Sequence, residues 1–162
     1  VVDIAGFQCN YVGALAGDNA GNIRRCYSTG SVTGYQYVGG LLGNNTGSIS
    51  DCYNRCTVSS PQFAYFGGLV GNNDAGALTN CYSTGTISYM GGIGNTQGEG
   101  LAYSTPGREG TVIGCFWDWQ TSGRFSGRVG TPLSTTKMQE INTYLDAGWD
   151  FLGEIENGTE DV

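Results

Sequence analysis

Three similar segments follow one another in the chain, and this internal repeat restricts the fold more than any other feature. The segments are VGALAGDNAGNIRRCYSTGSVTG from Val12, VGGLLGNNTGSISDCYNRCTVSS from Val38 and FGGLVGNNDAGALTNCYSTGTIS from Phe66. Equivalent leucines lie 26 and 28 residues apart, and equivalent cysteines lie 26 and 29 residues apart. A unit of this length cannot cover its own apolar face, so the units are expected to stack on one another.

Each unit is predicted to contain short strands and turns rather than a helix. In the second unit, short apolar groups at Leu41, Ile49 and Val58 are separated by polar turn sequences, which predicts three strands per unit. Glycine supplies 29 of the 162 residues, which favours tight turns. A fourth, degenerate copy is predicted to start with MGGIGNTQGEG at Met90 and to resume with TVIGCFWD at Thr111.

Stacking of such units predicts an all-β fold, a parallel β-solenoid (right-handed β-helix) of about four coils. Each unit forms one coil, and strands of neighbouring coils pair at a spacing of about 4.8 Å. A propeller blade is excluded because it needs four antiparallel strands and about 40 residues or more.

A stacked solenoid places equivalent side chains in columns along its axis. The predicted core columns are formed by Leu15, Leu41 and Leu69 and by Cys26, Cys52, Cys81 and Cys115. The turn asparagines Asn19, Asn45 and Asn73, with Asn44 and Asn72 beside them, are expected to hydrogen-bond along the axis as amide ladders do.

The recurring phrases also carry a family resemblance. GGLVGNN, followed by NCYSTG, resembles the GLUG motif, a repeat of bacterial and archaeal secreted and surface proteins that include large adhesins and some surface peptidases. The resemblance covers roughly residues 12 to 118. It implies a solenoid scaffold exposed outside the cell, and it does not imply a particular ligand.

The pattern changes after Cys115, where the sequence resembles the closing segment that often follows GLUG arrays. Shared features are a Trp-Asp pair, a Thr-Thr-x-x-Met stretch and a Gly-Trp-Asp-Phe end. Ser134 or Thr135 is predicted to N-cap a helix that runs to about Asp146. Its apolar face would hold Met138, Ile141 and Leu145. The predicted organisation is therefore a solenoid over residues 1–118, a capping segment over 119–153 and an acidic tail or linker over 154–162.

The six cysteines are predicted to be structural rather than metal ligands. The chain has no Cys-x-x-Cys pair and no histidine, and stacked rungs of one strand give poor tetrahedral geometry for zinc. Buried free thiols are the preferred interpretation of the column, with disulfides between neighbouring rungs as the alternative. Cys9 and Cys56 lie outside the column. Cys56 stands where other units have Gly30 and Gly85, which makes Cys9 and Cys56 candidates for cross-linking thiols, with Cys52 as another partner.

No catalytic constellation can be assembled from the sequence. Without histidine, Ser-His-Asp and Cys-His arrangements are excluded, and the only lysine, Lys137, lies on the predicted cap helix. Asp18 aligns with asparagines of the next units, and Asp51 aligns with an arginine and an asparagine, so neither column pairs two acids as glycoside hydrolysis requires. No cofactor is expected. Calcium in the Asp-Asn-x-Gly turns is an alternative, although the Gly-Gly-x-Gly-x-Asp repeat of calcium-binding solenoids is absent.

An aromatic residue follows each cysteine of the column. Because side chains alternate along a strand, these aromatic residues should point outward where the cysteines point inward. Such a column is a candidate surface for sugar rings or for another protein. The members of this predicted outward column are Tyr27, Tyr53, Tyr82 and Phe116.

The functional expectation is a non-catalytic extracellular structural or adhesion module, either part of a cell-surface adhesin or a subunit of a fibre that grows by head-to-tail coil stacking. The alternative is a carbohydrate-binding or polysaccharide-active β-helix protein. The expected partners are other copies of the chain or flanking repeats, and a glycan or a cell-surface receptor. The net charge of −7 argues against nucleic acid, and no apolar run is long enough to span a membrane. The start at Val1 without a signal pattern suits a mature secreted chain or a segment of a longer one.

Overall fold

A computed structural model describes residues 2–6, 8–60, 65–89 and 97–151, and within them it confirms the parallel β-solenoid. The strands form five parallel sheets, each of which takes one strand from successive coils. Each complete coil therefore has five short strands, not the three that the sequence predicted. The short polar segments between the apolar groups contain strands as well as turns. A pattern of apolar residues does not reveal strands that are only two residues long.

The described residues form three complete coils and part of a fourth, in agreement with the predicted number of about four. The first coil contains β2 (Tyr11–Gly13), β3 (Ala16–Asn19), β4 (Asn22–Arg24), β5 (Tyr27–Ser28) and β6 (Gly30–Gly34). The second contains β7 (Tyr37–Gly39), β8 (Leu42–Asn45), β9 (Ser48–Ser50), β10 (Tyr53–Asn54) and β11 (Thr57–Ser60). The third contains β12 (Tyr65–Gly67), β13 (Val70–Asn73), β14 (Ala77–Thr79), β15 (Tyr82–Ser83) and β16 (Ile87–Tyr89). The partial fourth coil contains β17 (Gln97–Glu99), β18 (Thr111–Ile113) and β19 (Phe116–Asp118), and β1 (Val2–Gly6) precedes the first coil.

A repeated corner explains how each coil turns before its cysteine. The preceding residue has a left-handed backbone, with φ values of 52° at Arg25, 55° at Asp51, 49° at Asn80 and 58° at Gly114. Glycine, asparagine and aspartate adopt this conformation more readily than other residues. The alignment of Asp51 with an arginine and an asparagine therefore reflects a backbone requirement and not a carboxylate site.

The glycines of GGLVGNN allow neighbouring strands of the coil to approach closely. A Cβ atom on Gly67 would lie 2.7 Å from the Cα atom of Ala102 in the next coil. A Cβ atom on Gly71 would lie 2.6 Å from the carbonyl oxygen of Gly43 and from the backbone nitrogen of Val38 in the previous coil. Real Cβ atoms do not come this close to backbone atoms, so these positions require glycine.

The fourth coil starts later than the sequence predicted. Gly98 stands in register with Phe66, the position that the prediction gave to Met90, which itself lies outside the described residues. Leu101 then continues the leucine column, with the Leu69 amide donating to the Leu101 carbonyl at 2.7 Å. The sequence QGEGLAYS was missed because it lacks the asparagines that mark the other copies. The predicted resumption at Thr111 agrees with the pairing of β18 with β14.

The interior is divided into two apolar clusters by a buried polar side chain. One cluster contains Leu41, Leu69 and Leu101, and the other contains Val38, Val58 and Phe66. The Asn54 side chain is fully buried, and its Nδ2 donates to the Gly68 carbonyl at 2.6 Å. Its Oδ1 accepts hydrogen bonds from the Ser28 hydroxyl at 3.0 Å and from the Cys56 amide at 2.8 Å. Because its hydrogen bonds are made, Asn54 can stay in the core.

The leucine column reaches solvent at one end. Leu41 and Leu69 are fully buried, whereas Leu15 is 51% exposed, so its predicted place in the core is wrong. The reason lies in the sheet order: the first-coil strands β2 to β5 are the last strands of their sheets, and no described strand pairs with their outer edges.

The capping segment adds a strand and short helices. Strand β20 (Thr131–Leu133) pairs in parallel with β19, so the sheet of β5, β10, β15 and β19 continues past the predicted boundary at residue 118. Helix α1 (Trp119–Ser122) begins directly after β19. The single helix predicted up to Asp146 is instead two, α2 (Thr135–Met138) and α3 (Ile141–Leu145). Ser134 caps α2 as predicted, accepting a hydrogen bond from the Lys137 amide at 3.2 Å.

The break between α2 and α3 changes which side chains reach the core. Met138 is buried, but Ile141 is 58% exposed, so the predicted apolar face over both residues is wrong. Glu140 has an extended backbone, with ψ at 117°, which ends one helical register and starts another. Tyr144 takes the inward position instead.

We predict that two leucines of the same column differ sharply in their contribution to stability. Leu69→Ala removes a fully buried side chain and should lower the free energy of unfolding by about 2–5 kcal/mol because it leaves a cavity. Leu15→Ala is the matched control and should cost less than about 1 kcal/mol, since Leu15 is half exposed. Urea denaturation followed by circular dichroism measures both. Equal losses would contradict the open end of the column.

Candidate functional site

The outward tyrosines of strands β5, β10 and β15 form a continuous stack. The rings of Tyr27 and Tyr53 have centroids 5.1 Å apart with an interplanar angle of 8°. The rings of Tyr53 and Tyr82 lie 5.0 Å apart at 3°. Parallel in-register pairing of β5, β10 and β15 holds this geometry, because it places each tyrosine directly over the last one.

The predicted fourth member of the column behaves differently. Phe116 is in register with Tyr82, but it is buried under the cap, where its ring packs edge-on against Tyr144 at 5.6 Å. Trp149 packs on Tyr82 at 6.1 Å, and its Nε1 donates to the Gly114 carbonyl at 2.8 Å. The cap therefore closes one end of the tyrosine stack, and Phe116, although it lies on the same side of the sheet as Tyr82, is buried instead of exposed.

A second tyrosine stack runs along the first strands of the coils. Tyr11 and Tyr37 stack at 5.3 Å, and Tyr37 and Tyr65 stack at 5.1 Å. Tyr103 covers the far end, 4.5 Å from Tyr65. This stack was not predicted, although the tyrosine that stands one residue before each unit, at Tyr11, Tyr37 and Tyr65, is a visible signal in the sequence.

Ring stacking limits what these columns can bind. A sugar or another ring packs on the face of an aromatic side chain. At a spacing of about 5 Å, both faces of Tyr37 and Tyr53 are occupied by neighbouring tyrosines. Among the described residues, no further ring stacks on the second face of Tyr11 or Tyr27, which are 45% and 64% exposed. The columns thus offer ring edges along their length and ring faces at the N-terminal end of the solenoid.

A pocket lies where the first tyrosine stack meets the cap. Its volume is about 320 Å³. Its walls carry one cation, several hydroxyl groups and an amide, from Arg55, Tyr82, Thr84, Asp118, Thr121, Thr135, Met138, Gln139 and Tyr144. The guanidinium carbon of Arg55 lies 5.4 Å from the centroid of the Tyr53 ring. Burial raises the pKa of Tyr82, and the nearby Arg55 partly offsets this effect.

The carboxylate in this pocket is held by structural hydrogen bonds. Asp118 is buried and caps α1, accepting from the backbone amides of Gln120 at 2.9 Å and Thr121 at 3.2 Å. Its other oxygen accepts from the Thr135 hydroxyl at 2.7 Å. These bonds tie the cap to the last solenoid strand, so the visible role of Asp118 is to position the cap.

The cysteine column lines the coil corners. Cys52, Cys81 and Cys115 are buried and Cys26 is half-buried. Each thiol donates to the carbonyl two residues earlier, at 3.0 Å for Cys52, 3.1 Å for Cys81 and 3.2 Å for Cys26 and Cys115. Side-chain hydrogen bonding of the Cys81 thiol with Cys115 and Cys52, together with burial, raises the pKa of Cys81 well above its usual value. All six cysteines are free thiols in the structure.

The two thiols outside the column are not equivalent. Cys56 does align with Gly30 and Gly85, but it is fully buried in the second apolar cluster, where burial raises the pKa of its thiol. Its prediction as a cross-linking thiol is therefore wrong, because a reagent or partner thiol cannot reach it and it is rarely ionised. Cys9 is exposed.

Buried amides join the coils. Asn19 donates to the Asn45 Oδ1 at 2.8 Å, and Asn45 donates to the Asn73 Oδ1 at 2.8 Å. Beside this ladder, Asn72 donates to Asn44 and Asn44 donates to the Asp18 carboxylate, at 2.8 and 2.7 Å. These side chains serve coil-to-coil contacts, and Asp18 has an asparagine as its neighbour. Within the described ranges, no group of three or more cysteine, aspartate or glutamate side chains is arranged to hold a metal ion.

Comparison with protein families identifies the repeat. The GLUG motif matches residues 8–33, 34–59 and 64–88, which correspond to the three complete coils. The chain is therefore a GLUG-motif repeat protein over these three segments.

A curated relative shares part of this sequence. A protein of Evansella cellulosilytica, provisionally named as a Gly-rich membrane protein, is 39% identical over 90 residues. These residues make up 52% of this chain and 10% of the relative, so the similarity spans about a tenth of that protein. No solved structure gave a significant match. In the part of the chain that the structure describes, no helix has the length and apolar character needed to cross a membrane.

We predict that alkaline pH weakens the cap through Tyr144. Burial, with Tyr82 and Asp118 nearby, raises the pKa of Tyr144 from 10.0 to about 12. Below pH 10 the phenol is protonated in both the folded and unfolded states, so its full contribution to stability is present. Between about pH 10 and 12 only the unfolded state releases the proton, and stability should fall by on the order of 2 kcal/mol.

Tyr144→Phe provides the control for this effect. It keeps the ring and loses the hydrogen bond from the Tyr144 hydroxyl to the Met138 carbonyl, which should cost about 1 kcal/mol at neutral pH. Its alkaline loss should be smaller than that of the unmodified chain, as measured by urea denaturation from about pH 8 to 12. Identical alkaline losses would show that Tyr144 is not responsible.

Proposed function

We propose that the chain is a non-catalytic structural and adhesion module of an extracellular cell-surface protein. The observation that carries this proposal is the continuity of the columns: leucine, cysteine, asparagine and tyrosine side chains each contact an equivalent residue in the next coil. In such a stack, the column side chains are used mainly by one another. This suits a spacer or a display platform better than a reaction site.

The chemistry of the described residues supports a non-catalytic role. The chain contains no histidine, and Asp118, the buried carboxylate of the pocket, is bonded to two amides and a hydroxyl group. Asp18 accepts a hydrogen bond from Asn44 and has no carboxylate opposite it in the second coil. Most glycoside hydrolysis needs a pair of carboxyl groups, one that acts as an acid and one that acts as a base or nucleophile.

The surface location is supported by the repeat family and by the composition. The GLUG repeats of this chain resemble repeats of secreted and surface proteins, and the name of the relative in Evansella cellulosilytica describes a membrane protein. The net charge of −7 and the low share of charged residues, 13%, suit a soluble rod with a polar, hydroxyl-rich surface. Adhesion would use the exposed tyrosine rings and the pocket beside the cap, with a glycan or a cell-surface receptor as the partner.

Surface display tests this proposal. The chain, fused to a cell-wall anchor and an epitope in a heterologous bacterium, should be displayed, resist added protease and retain cells on glycan-coated or receptor-coated surfaces. Cells with the anchor alone and cells with the Leu69→Ala variant are the controls, and the variant should be degraded because its core is weakened. Retention equal to that of the anchor alone would contradict the adhesion role. Degradation of the unmodified chain would contradict the structural role.

The pocket beside the cap favours a second candidate function, the binding of an acidic carbohydrate. Arg55 lies at the pocket without a carboxylate within ion-pair distance among the described residues. The pocket also carries phenol, hydroxyl and amide groups, which hydrogen-bond readily to sugar hydroxyls, and the Asp118 carboxylate, whose oxygens already accept three hydrogen bonds. A guanidinium next to such groups matches a sugar that carries a carboxylate, such as a uronic acid.

A binding comparison tests the carbohydrate candidate. Uronic-acid oligosaccharides should bind more tightly than neutral oligosaccharides of equal length, and Arg55→Ala should weaken binding by about tenfold through loss of a charge-assisted hydrogen bond. Arg24→Ala is the matched control, since Arg24 is an exposed arginine on β4, away from the pocket-lining residues. Titration calorimetry measures affinity, and a reducing-sugar assay should remain blank. Equal binding by both variants would contradict the pocket as the site.

A further inference from the structure

The cysteine column is a row of sulfur atoms, and backbone amides donate to three of them. The Cys26 amide donates to the Cys52 sulfur at 3.3 Å. The Cys52 and Cys81 amides make the same contact with the sulfurs of Cys81 and Cys115. A hydrogen bond to sulfur favours the thiolate form, which is the form that binds metal ions.

The last two thiols of the column can lose their protons without leaving a buried carbonyl unpaired. The Cys81 thiol donates to the Thr79 carbonyl at 3.1 Å. The Cys115 thiol donates to the Ile113 carbonyl at 3.2 Å. These two carbonyls also accept hydrogen bonds from backbone amides of the preceding coil, at 3.1 and 3.0 Å respectively. Replacement of the thiol protons by another ligand of sulfur therefore costs no essential hydrogen bond.

The spacing of the column suits two sulfur ligands on one line. The Phe116 amide donates to the Cys81 carbonyl at 3.0 Å, which keeps Cys81 and Cys115 in register, at the usual strand spacing of about 4.8 Å. A metal–thiolate bond of about 2.3 Å gives a linear sulfur–metal–sulfur unit a length of about 4.6 Å. The two thiols already hydrogen-bond to each other, so they need to part only slightly to admit an ion.

Other uses of the same two sulfurs fit the geometry less well. A disulfide needs Cβ atoms about 3.5–4.5 Å apart, whereas in-register residues of parallel strands stay near the strand spacing. Zinc takes four ligands in a tetrahedron, and a column presents its sulfurs along one line. The pair therefore favours an ion that accepts two ligands in a line.

A pocket gives access to the end of the column. Its volume is about 300 Å³, and Cys115, Gly130 and Thr131 are among the residues that line it. Because Phe116 pairs with Thr131, Gly130 stands next in the column after Cys115. Glycine places no side chain over the Cys115 sulfur, and the space beside it is the pocket. An ion can thus reach the column between the last coil and the cap.

We propose that Cys81 and Cys115 bind one Cu(I) ion in linear two-sulfur coordination. Cu(I) is a soft ion that thiolates select. Two copper–sulfur bonds form, two sulfur–hydrogen bonds break, and both protons leave to solvent through the pocket, with no change in oxidation state. The complex carries one negative charge over two sulfurs, each of which accepts a hydrogen bond from a backbone amide. This site goes beyond the proposed adhesion role and does not depend on it.

Two double variants with equal numbers of thiols test the proposal. Cys26→Ser with Cys52→Ser keeps the neighbours Cys81 and Cys115. Cys26→Ser with Cys81→Ser keeps Cys52 and Cys115, which lie two coils apart. The first variant should bind its first equivalent of Cu(I) within about threefold of the affinity of the unmodified chain, and the second at least about tenfold more weakly, since it lacks a paired ligand. Competition with a coloured Cu(I) chelator under nitrogen measures these affinities.

Equal affinities of the two variants would overturn the proposal, as would an unmodified chain that binds no copper. Zn²⁺ is the control ion and should not distinguish the variants, because neither offers it a tetrahedral site. Zinc binding that is lost only with Cys81→Ser would overturn the linear site. Disappearance of both thiols without bound copper would indicate a disulfide and would also overturn it.

X-ray absorption at the copper edge decides if the serine variants do not fold. The unmodified chain with one equivalent of Cu(I) should show two sulfur neighbours and no nitrogen or oxygen neighbour. Alkylation of Cys115, followed by peptide mass spectrometry, should slow by about tenfold or more when copper is bound, because the thiolate is no longer free. A third ligand, or an unchanged alkylation rate of Cys115, would show that copper binds elsewhere and that the proposal is wrong.

Discussion

The structure depends on in-register stacking of equivalent residues from coil to coil. The buried ladder of Asn19, Asn45 and Asn73 makes this requirement strict, because each amide donates to the next and a slip by one residue would leave buried polar groups without partners. The same register places Leu41 under Leu69 and Tyr53 under Tyr82. Glycine at positions such as Gly67 lets the strands of neighbouring coils come close enough for these in-register contacts to form.

Stacking also explains why most recurring residues are structural. The cysteines close the coil corners through hydrogen bonds to nearby carbonyls, and hydrogen bonding with neighbouring thiols, together with burial, raises the pKa of Cys81. The tyrosines bind each other through their ring faces, which leaves only edges to a partner along the rod. Chemistry that differs from coil to coil is found where the repeat meets the cap, at the pocket lined by Arg55, Tyr82 and Asp118.

Much of this architecture could be predicted from the spacing of the repeats. The parallel solenoid and the shared columns follow from the period, and the GLUG resemblance agrees with the matched segments. The phase of the fourth coil could not be read, because QGEGLAYS keeps only the glycine and Leu101 of the motif. The two-residue strands and the break at Glu140 were missed because neither produces an apolar periodicity.

The sequence by itself determined which residues share a column, since a fixed repeat length carries every residue to the same place in the next coil. Only the tertiary structure decided which members of a column are covered. Leu15 and Phe116 look like their column neighbours in sequence, yet Leu15 is exposed at the open end and Phe116 is buried under the cap. Cys56 likewise turned inward to fill the second cluster. Burial depends on what packs against a residue from elsewhere in the chain, and a repeat pattern contains no information about its own ends.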